Sequence, residues 1–364
     1  MMARHLTIAF MVAAALSGCS DVEPIPPPPV QPPSTGVLPE RQSTVSGVVY
    51  DPEAFFVQFV TYSAMGEEPI PPGLFPKSPF LLYSAIPDAR VRLSGAGLSS
   101  VSSGASSFEG AWLTTGVAMS DSAPYLAEAL PPEDGPVAFF PEGAFFPLPP
   151  AKHYATTSVR PIQVQVNNCR SQAAVMVGNT GALDAVARHL TAAGTPTTPD
   201  DLVNPAKTGG VVLFWVHPGS LFFDFMYEPM ESVVGETSAG TLLAVDWAPP
   251  GEGPPGQSPL GFFVTPGSGG SIGYYALVLP RGLTTPVKVT FKDTLVSPGP
   301  PDPEDPYGLR PWPIEPITVQ PHAGVSVQRV FAGFTSTPKP RDPLDPPPMP
   351  PEDESWRCLP PERE

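Results

Sequence analysis

The sequence predicts an all-β fold of two β-sandwich domains, with one short helix, a proline-rich linker and a proline-rich tail. The first observation behind this is composition: 33 glycines and 56 prolines among 364 residues, close to one position in four. Proline has no amide to give a helix and glycine loosens a helix interior, so such a density is tolerated only in turns, linkers and edge strands. The second is a series of short runs in which apolar and polar residues alternate, the period of a half-buried strand. Hydrophobic residues are 41% of the chain against 15% charged, which supplies apolar side chains for one or two cores. A formal charge of −16 leaves no basic face on which nucleic acid could release its counterions, so nucleic acid is excluded as a partner and the acidity reads as solubility.

Taken in order, the first strand begins near Ser43, where Val45, Gly47 and Val49 alternate with Ser46, Val48 and Tyr50 until Asp51-Pro52 stops the run. Ala89 to Leu93 alternates next. Ser107 to Leu113 reads as a turn entering a strand, and Ile162, Val164 and Val166 form another, followed by Ala173 to Val177. The one helix starts after Asn179 or Thr180 and runs to about Ala193, with Leu183, Val186, Ala187 and Leu190 at helical spacing and Gly194 as its stop. Residues 195–208, with Pro196, Pro199 and Pro205, read as a linker. Beyond it, Val211 to Val216 is a continuous apolar run suited to a strand buried on both faces. Thr241 to Trp247, Leu260 to Thr265, Tyr274 to Leu279, the alternation around Val287, Val289 and Phe291, and Gly324 to Phe331 complete the second region. Residues 298–316 carry eight prolines and read as a surface excursion.

The amino terminus is a secretion signal. Arg4 and His5 precede an almost wholly apolar stretch from Leu6 to Leu16, too short to span a bilayer. The four residues that close it, Leu16-Ser17-Gly18-Cys19, resemble the lipobox of bacterial lipoproteins at every position. The resemblance implies cleavage before Cys19 and a diacylglycerol on its sulfur. It also implies acylation of the new amino group, with palmitate-type chains that anchor stably where a single chain would not. Ser20 in place of the aspartate that signals inner-membrane retention points to the outer membrane. Loss of residues 1–18 removes Arg4 and takes the charge from −16 to −17, so attachment is left to the acyl chains. Residues 24–39 hold eight prolines; in polyproline geometry such a tether holds the body on the order of 60 Å from the bilayer. In an oxidising compartment the two remaining cysteines, Cys169 and Cys358, most simply form one disulfide; the alternative, a metal site, lacks neighbouring ligands at short spacing.

Two stretches resemble the carboxypeptidase regulatory-like domain, a transthyretin-like β-sandwich. Val45-Ser46-Gly47-Val48-Val49-Tyr50-Asp51-Pro52, Pro87-Asp88-Ala89-Arg90-Val91-Arg92-Leu93 and Gly110-Ala111-Trp112-Leu113 follow its pattern in the first region. Gly273-Tyr274-Tyr275-Ala276-Leu277-Val278-Leu279-Pro280-Arg281-Gly282 follows its closing part in the second. The implied domains are 43–178, departing from the family by an insertion at 53–86 rich in Phe and Pro, and 209–334. Around them lie the signal (1–18), the anchor and tether (19–42), the helix and linker (179–208) and an acidic tail (335–364). The resemblance implies a non-catalytic module for spacing or binding, with no cofactor. The partners are the membrane, reached through the lipid, and an envelope protein or glycan.

Tests for chemistry point the same way. His153, His189, His217 and His322 have no metal-ligand spacing, and exposed or capping roles suit them. Gly269-Gly270-Ser271-Ile272-Gly273 matches the nucleophile elbow in letters, but a strand rather than a helix follows it, which makes it a hairpin loop. Asp302, Glu304 and Asp305 are interrupted by prolines in any calcium-loop spacing. The aromatic runs 139–146 and 221–227 suit burial better than an exposed patch. The competing expectation, a hydrolase or carbohydrate-binding accessory protein, places its cleft near Trp215 and Trp247.

Overall fold

The computed structural model of the chain describes residues 42–64, 79–95, 97–118, 124–133, 135–137, 146–162, 164, 169–171, 174–218, 230–296 and 310–333. It is mostly β, 43% strand against 14% helix. The first region contains β1 (Gln42–Tyr50), helices α1 (Pro52–Ala64) and α2 (Pro79–Ser84), β2 (Arg90–Gly95), β3 (Leu98–Ser102), β4 (Ala111–Ala118) and β5 (Tyr125–Leu130). It continues with β6 (His153–Tyr154), β7 (Thr156–Ile162), β8 (Cys169–Ser171), β9 (Ala174–Val175) and β10 (Val177–Gly178). Then come α3 (Ala182–Ala192), α4 (Pro199–Val203), β11 (Val211–Pro218), β12 (Val233–Thr237), β13 (Thr241–Trp247) and β14 (Phe262–Val264). The chain closes with β15 (Gly269–Gly270), β16 (Tyr274–Val278), β17 (Val287–Asp293), β18 (Ile317–Val319) and β19 (Val325–Ala332).

A nine-stranded sheet organises these elements in the order β14-β13-β16-β11-β19-β7-β5-β2-β3. Its centre is β19, the last strand among the described residues. It runs parallel to β11 from Val325 opposite Val211 to Ala332 opposite Pro218, and parallel to β7 from Val325 opposite Thr156 to Val327 opposite Ser158. Strands of the 43–178 and 209–334 regions therefore belong to one sheet.

Because successive side chains point to opposite faces, each buried strand of this sheet feeds two cores. At one end Val91, Leu93, Tyr125 and Ala127 pack against Val45, Val49 and Trp112 of the smaller sheet built on β4 and β1. At the other end Val212, Phe214, Tyr275 and Leu277 face Val233, Val287, Val289 and Phe291 of the four-stranded sheet β15-β12-β17-β18. On the reverse side of those same strands, Leu213, Trp215, Tyr274 and Ala276 pack against Phe55, Phe56 and Val57 of α1 and Leu183 and Val186 of α3. The uninterrupted apolar run in β11 follows from this: both of its faces are covered.

Where the sequence predicts one short helix, the described residues hold four. α3 is the expected one. Two more occupy the stretch read as an insertion, and α4 falls within the stretch read as a linker. There the Thr198 hydroxyl accepts from the Asp201 amide at 3.2 Å while the Asp201 carboxylate accepts from the Thr198 amide at 3.0 Å, a capping box. The proline-rich excursion is pinned where it rejoins the body. Arg310 donates two hydrogen bonds, of 2.8 and 2.7 Å, to buried Asp293 and lies over the Trp312 ring. Burial pushes the Asp293 carboxyl up, but Arg310 and the amides of Trp312 and Leu295 outweigh it and leave it below the usual range. Among the described residues no helix is long and apolar enough to cross a membrane.

Candidate functional site

A buried group of ionisable side chains forms where β1 turns into α1. Asp51 ends the strand and caps the helix: its Oδ1 accepts from the amides of Glu53 at 2.8 Å and Ala54 at 3.1 Å. Pro52 occupies the first helical position, where no amide is needed. The other oxygen, Oδ2, accepts from His153 Nε2 at 3.0 Å, and both side chains are fully buried. A Cβ on Gly178 would come within 3.4 Å of both of those atoms, so β10 closes directly over the pair.

Two residues further on, Glu53 reaches the start of α3 and β16. Its Oε1 accepts from the Ala182 amide at 2.9 Å and from the Tyr274 hydroxyl at 2.6 Å. Helix α3 has Gly181 as its N-cap with no side-chain cap of its own, so a carboxyl from 129 residues earlier serves its first free amide. Glu53 Oε2 is buried with no hydrogen-bond partner. Burial first, and then the neighbouring Asp51, push the Glu53 carboxyl up to about 8, against the lowering effect of Tyr274 and Ala182. Burial and Asp51 both favour the neutral acid. The Tyr274 ring lies stacked on Trp215 with centroids 3.8 Å apart, and Phe56 packs against Trp215 and Trp247 at 5.4 and 5.9 Å.

This is an acid pair with a histidine, the group a hydrolase would need, but it is sealed. Asp51 and Glu53 are 0% exposed and His153 4%. A catalytic acid has to reach its substrate. Here the groups instead join α1, α3, β6 and β16. Trp215 and Trp247, placed by the sequence near a cleft, are core residues: Trp215 is buried, and the half-buried Trp247 donates its indole N–H to the Leu260 carbonyl at 2.7 Å.

Two histidines differ from expectation. His153 is bonded within the core, and His217 is buried and pushed down to about 3, by desolvation and then by Arg329. Both lie in strands whose neighbours cover them. His189 and His322 are exposed. Ser271 donates its hydroxyl to Asp246 at 2.6 Å and its amide to the same carboxylate at 3.0 Å, and β16 follows, so the elbow-like letters describe a pinned loop. No sequence signal gathers Asp51, Glu53, His153 and Tyr274, because their partners are 102 and 221 positions apart. Phe146 is half-buried and packed on the core. Cys169 begins β8. Cys19 with Leu16, Ser17 and Gly18, Cys358, the carboxylates Asp302, Glu304 and Asp305, residues 139–145 and residues 221–227 lie outside the described residues.

No protein-family model and no curated protein matches the chain. Among solved structures it is similar to the Bacillus anthracis TIE protein, at 8% identity and TM-score 0.21 over 80% of this chain and 33% of that one. It thus spans about a third of that protein's length. It is also similar to the shaft pilin SpaA of Lactobacillus rhamnosus GG, at 8% identity and TM-score 0.21 over 81% of this chain and 100% of that one. A mutant form of the same pilin gives 9% identity and a TM-score of 0.21 over the same shares of the two chains. Backbone likeness of this size does not establish a common fold.

Proposed function

We propose that the chain is a non-catalytic scaffold of the bacterial envelope, tethered to the outer membrane through lipid on Cys19. The observation that carries the reading is Leu16-Ser17-Gly18-Cys19 at the end of an apolar signal stretch. A proline-rich tether follows, of the kind that spaces a folded body from a surface. The body supports it in a second way: the acid pair clustered at the start of α1 is buried as a joint between elements and is closed to a substrate. Two or three acyl chains supply the binding energy to the membrane, and the strongly acidic body adds none against anionic lipid. The partner held by such a scaffold is an envelope protein or a glycan.

Replacing Cys19 by alanine tests the anchor. Cys19→Ala is expected to move the protein from the membrane fraction to the soluble fraction and to abolish incorporation of labelled palmitate. A variant that still sediments with membranes and still takes up the label sinks the reading. Crosslinking in intact cells, with that variant as the control, then identifies what the anchored form holds.

A further inference from the structure

Glu53 occupies a place where a charge is poorly tolerated and a neutral acid is useful. Its carboxyl is the point at which three distant parts of the chain meet: α1, which carries it; the start of α3, 129 residues later; and β16, 221 residues later. Neither of its hydrogen-bond partners, the Ala182 amide and the Tyr274 hydroxyl, is a cation. Its second oxygen has no hydrogen-bond partner among the described residues. Among the described residues, the charged groups on the neighbouring elements are engaged elsewhere. From its own element Asp51 presents a second carboxyl, already engaged by the Glu53 and Ala54 amides. From β6, His153 is bonded to Asp51. From the first turn of α3, Asp184 is paired with Arg188.

We propose that the protonated Glu53 carboxyl is a latch that holds α1, α3 and β16 together, making the body a pH-sensitive device that tightens in acid and loosens in alkali. While it keeps its proton, Glu53 closes the joint without adding a charge of its own. When it loses that proton, a carboxylate with an undonated oxygen stands beside Asp51 in a buried site. The direction follows from linkage. An unfolded glutamate releases its proton near 4.5 and the folded Glu53 near 8, so between those values the open chain gains a proton-release advantage and stability falls as pH rises. This contribution is complete below about 4.5 and gone above about 8, opposite in sense to an ordinary ion-paired carboxylate.

The test uses the full chain in detergent and follows thermal unfolding and amide exchange in α1 and α3 from pH 5 to pH 9. Glu53→Gln is a neutral isostere that cannot titrate. The ratio of unfolding constants, native chain over variant, should rise toward pH 8 by up to about tenfold per pH unit, the slope of one linked proton. Exchange in α1 and α3 should accelerate together. Equal pH slopes for the two chains would overturn the proposal. If Glu53→Gln fails to fold, an infrared titration of the native chain with carboxyl-labelled glutamate decides. One glutamic acid still protonated at pH 7 supports the latch, and a fully ionised set overturns it.

Discussion

Gly181 shows how one residue's missing side chain can be a structural requirement without any unusual backbone. Its φ of −105° is accessible to any amino acid. What excludes a side chain is the Glu53 carboxyl, which a Cβ at 181 would overlap. The carboxyl cannot swing away, because it is fully buried and held by Ala182 and Tyr274. Gly181→Ala therefore has to displace the carboxyl or the start of α3, and overpacking of this kind costs about 1–3 kcal/mol. Gly104, where nothing lies within 4 Å of an added Cβ, is the control. Gly104→Ala should leave the melting temperature near that of the native chain, whereas Gly181→Ala should lower it by several degrees. Equal melting temperatures for the two variants would show that the joint at Glu53 is slack.

At the scale of elements, α1 is the part that most shapes the site and the part the sequence conceals best. Residues 52–58 are buried all round, so this part of the helix has no polar face and shows none of the 3.6-residue alternation that exposes an amphipathic helix. Even its glutamine is inside: Gln58 exchanges two hydrogen bonds with the Phe146 backbone, at 2.6 and 3.0 Å, and so fixes the chain that covers it. The start signal is nevertheless present in Asp51-Pro52-Glu53, an N-cap followed by proline at the first helical position, which a reading for strands takes only as the end of a run. Asp51 carries two duties, and substitution separates them. Asp51→Asn keeps an oxygen for the Glu53 and Ala54 amides, while Asp51→Ala removes the cap as well as the partner of His153. The alanine variant should be less stable than the asparagine one by about 1 kcal/mol, the typical worth of an N-cap, and equal urea midpoints would remove capping from the account. Strands with one wet face are legible for the reason α1 is not. β17 alternates buried Val287, Val289 and Phe291 with exposed Lys288 and Lys292, and β2 does the same with Val91 and Leu93. In β12, Gly235 allows Leu242 and Phe291 to pack closely, a constraint visible only in three dimensions. The members of the acid cluster are brought together by pairing between elements, and no spacing along the chain encodes that.

The described body is tied by its last described strand. β19 supplies parallel partners to β7 on one side and β11 on the other, so a chain ending before Val325 would leave two strand edges open in the middle of the sheet. It also loses Val325 and Val327 from the core that α1 and α3 share, and Val330 from the core beneath β17. The Glu53 joint adds a second tie, between α1 and β16. A body held this way should unfold as a unit. Calorimetry of the full chain is expected to give one transition whose calorimetric and van't Hoff enthalpies agree. Fragments cut at the boundary read from sequence, 43–208 and 209–334, test it from the other side. The first lacks β19 and Tyr274, leaving the β7 edge unpaired and Glu53 without its phenol. It should expose apolar surface and show no cooperative melt. The second keeps β19 but loses α1 and α3, which uncovers Trp215, Tyr274 and Ala276 on one face of its sheet. Two fragments that each melt sharply, at midpoints that together reproduce the behaviour of the intact chain, would mean that β19 merely bridges independent domains. A single transition lost in both would mean that the amino-terminal and carboxyl-terminal regions complete each other's cores.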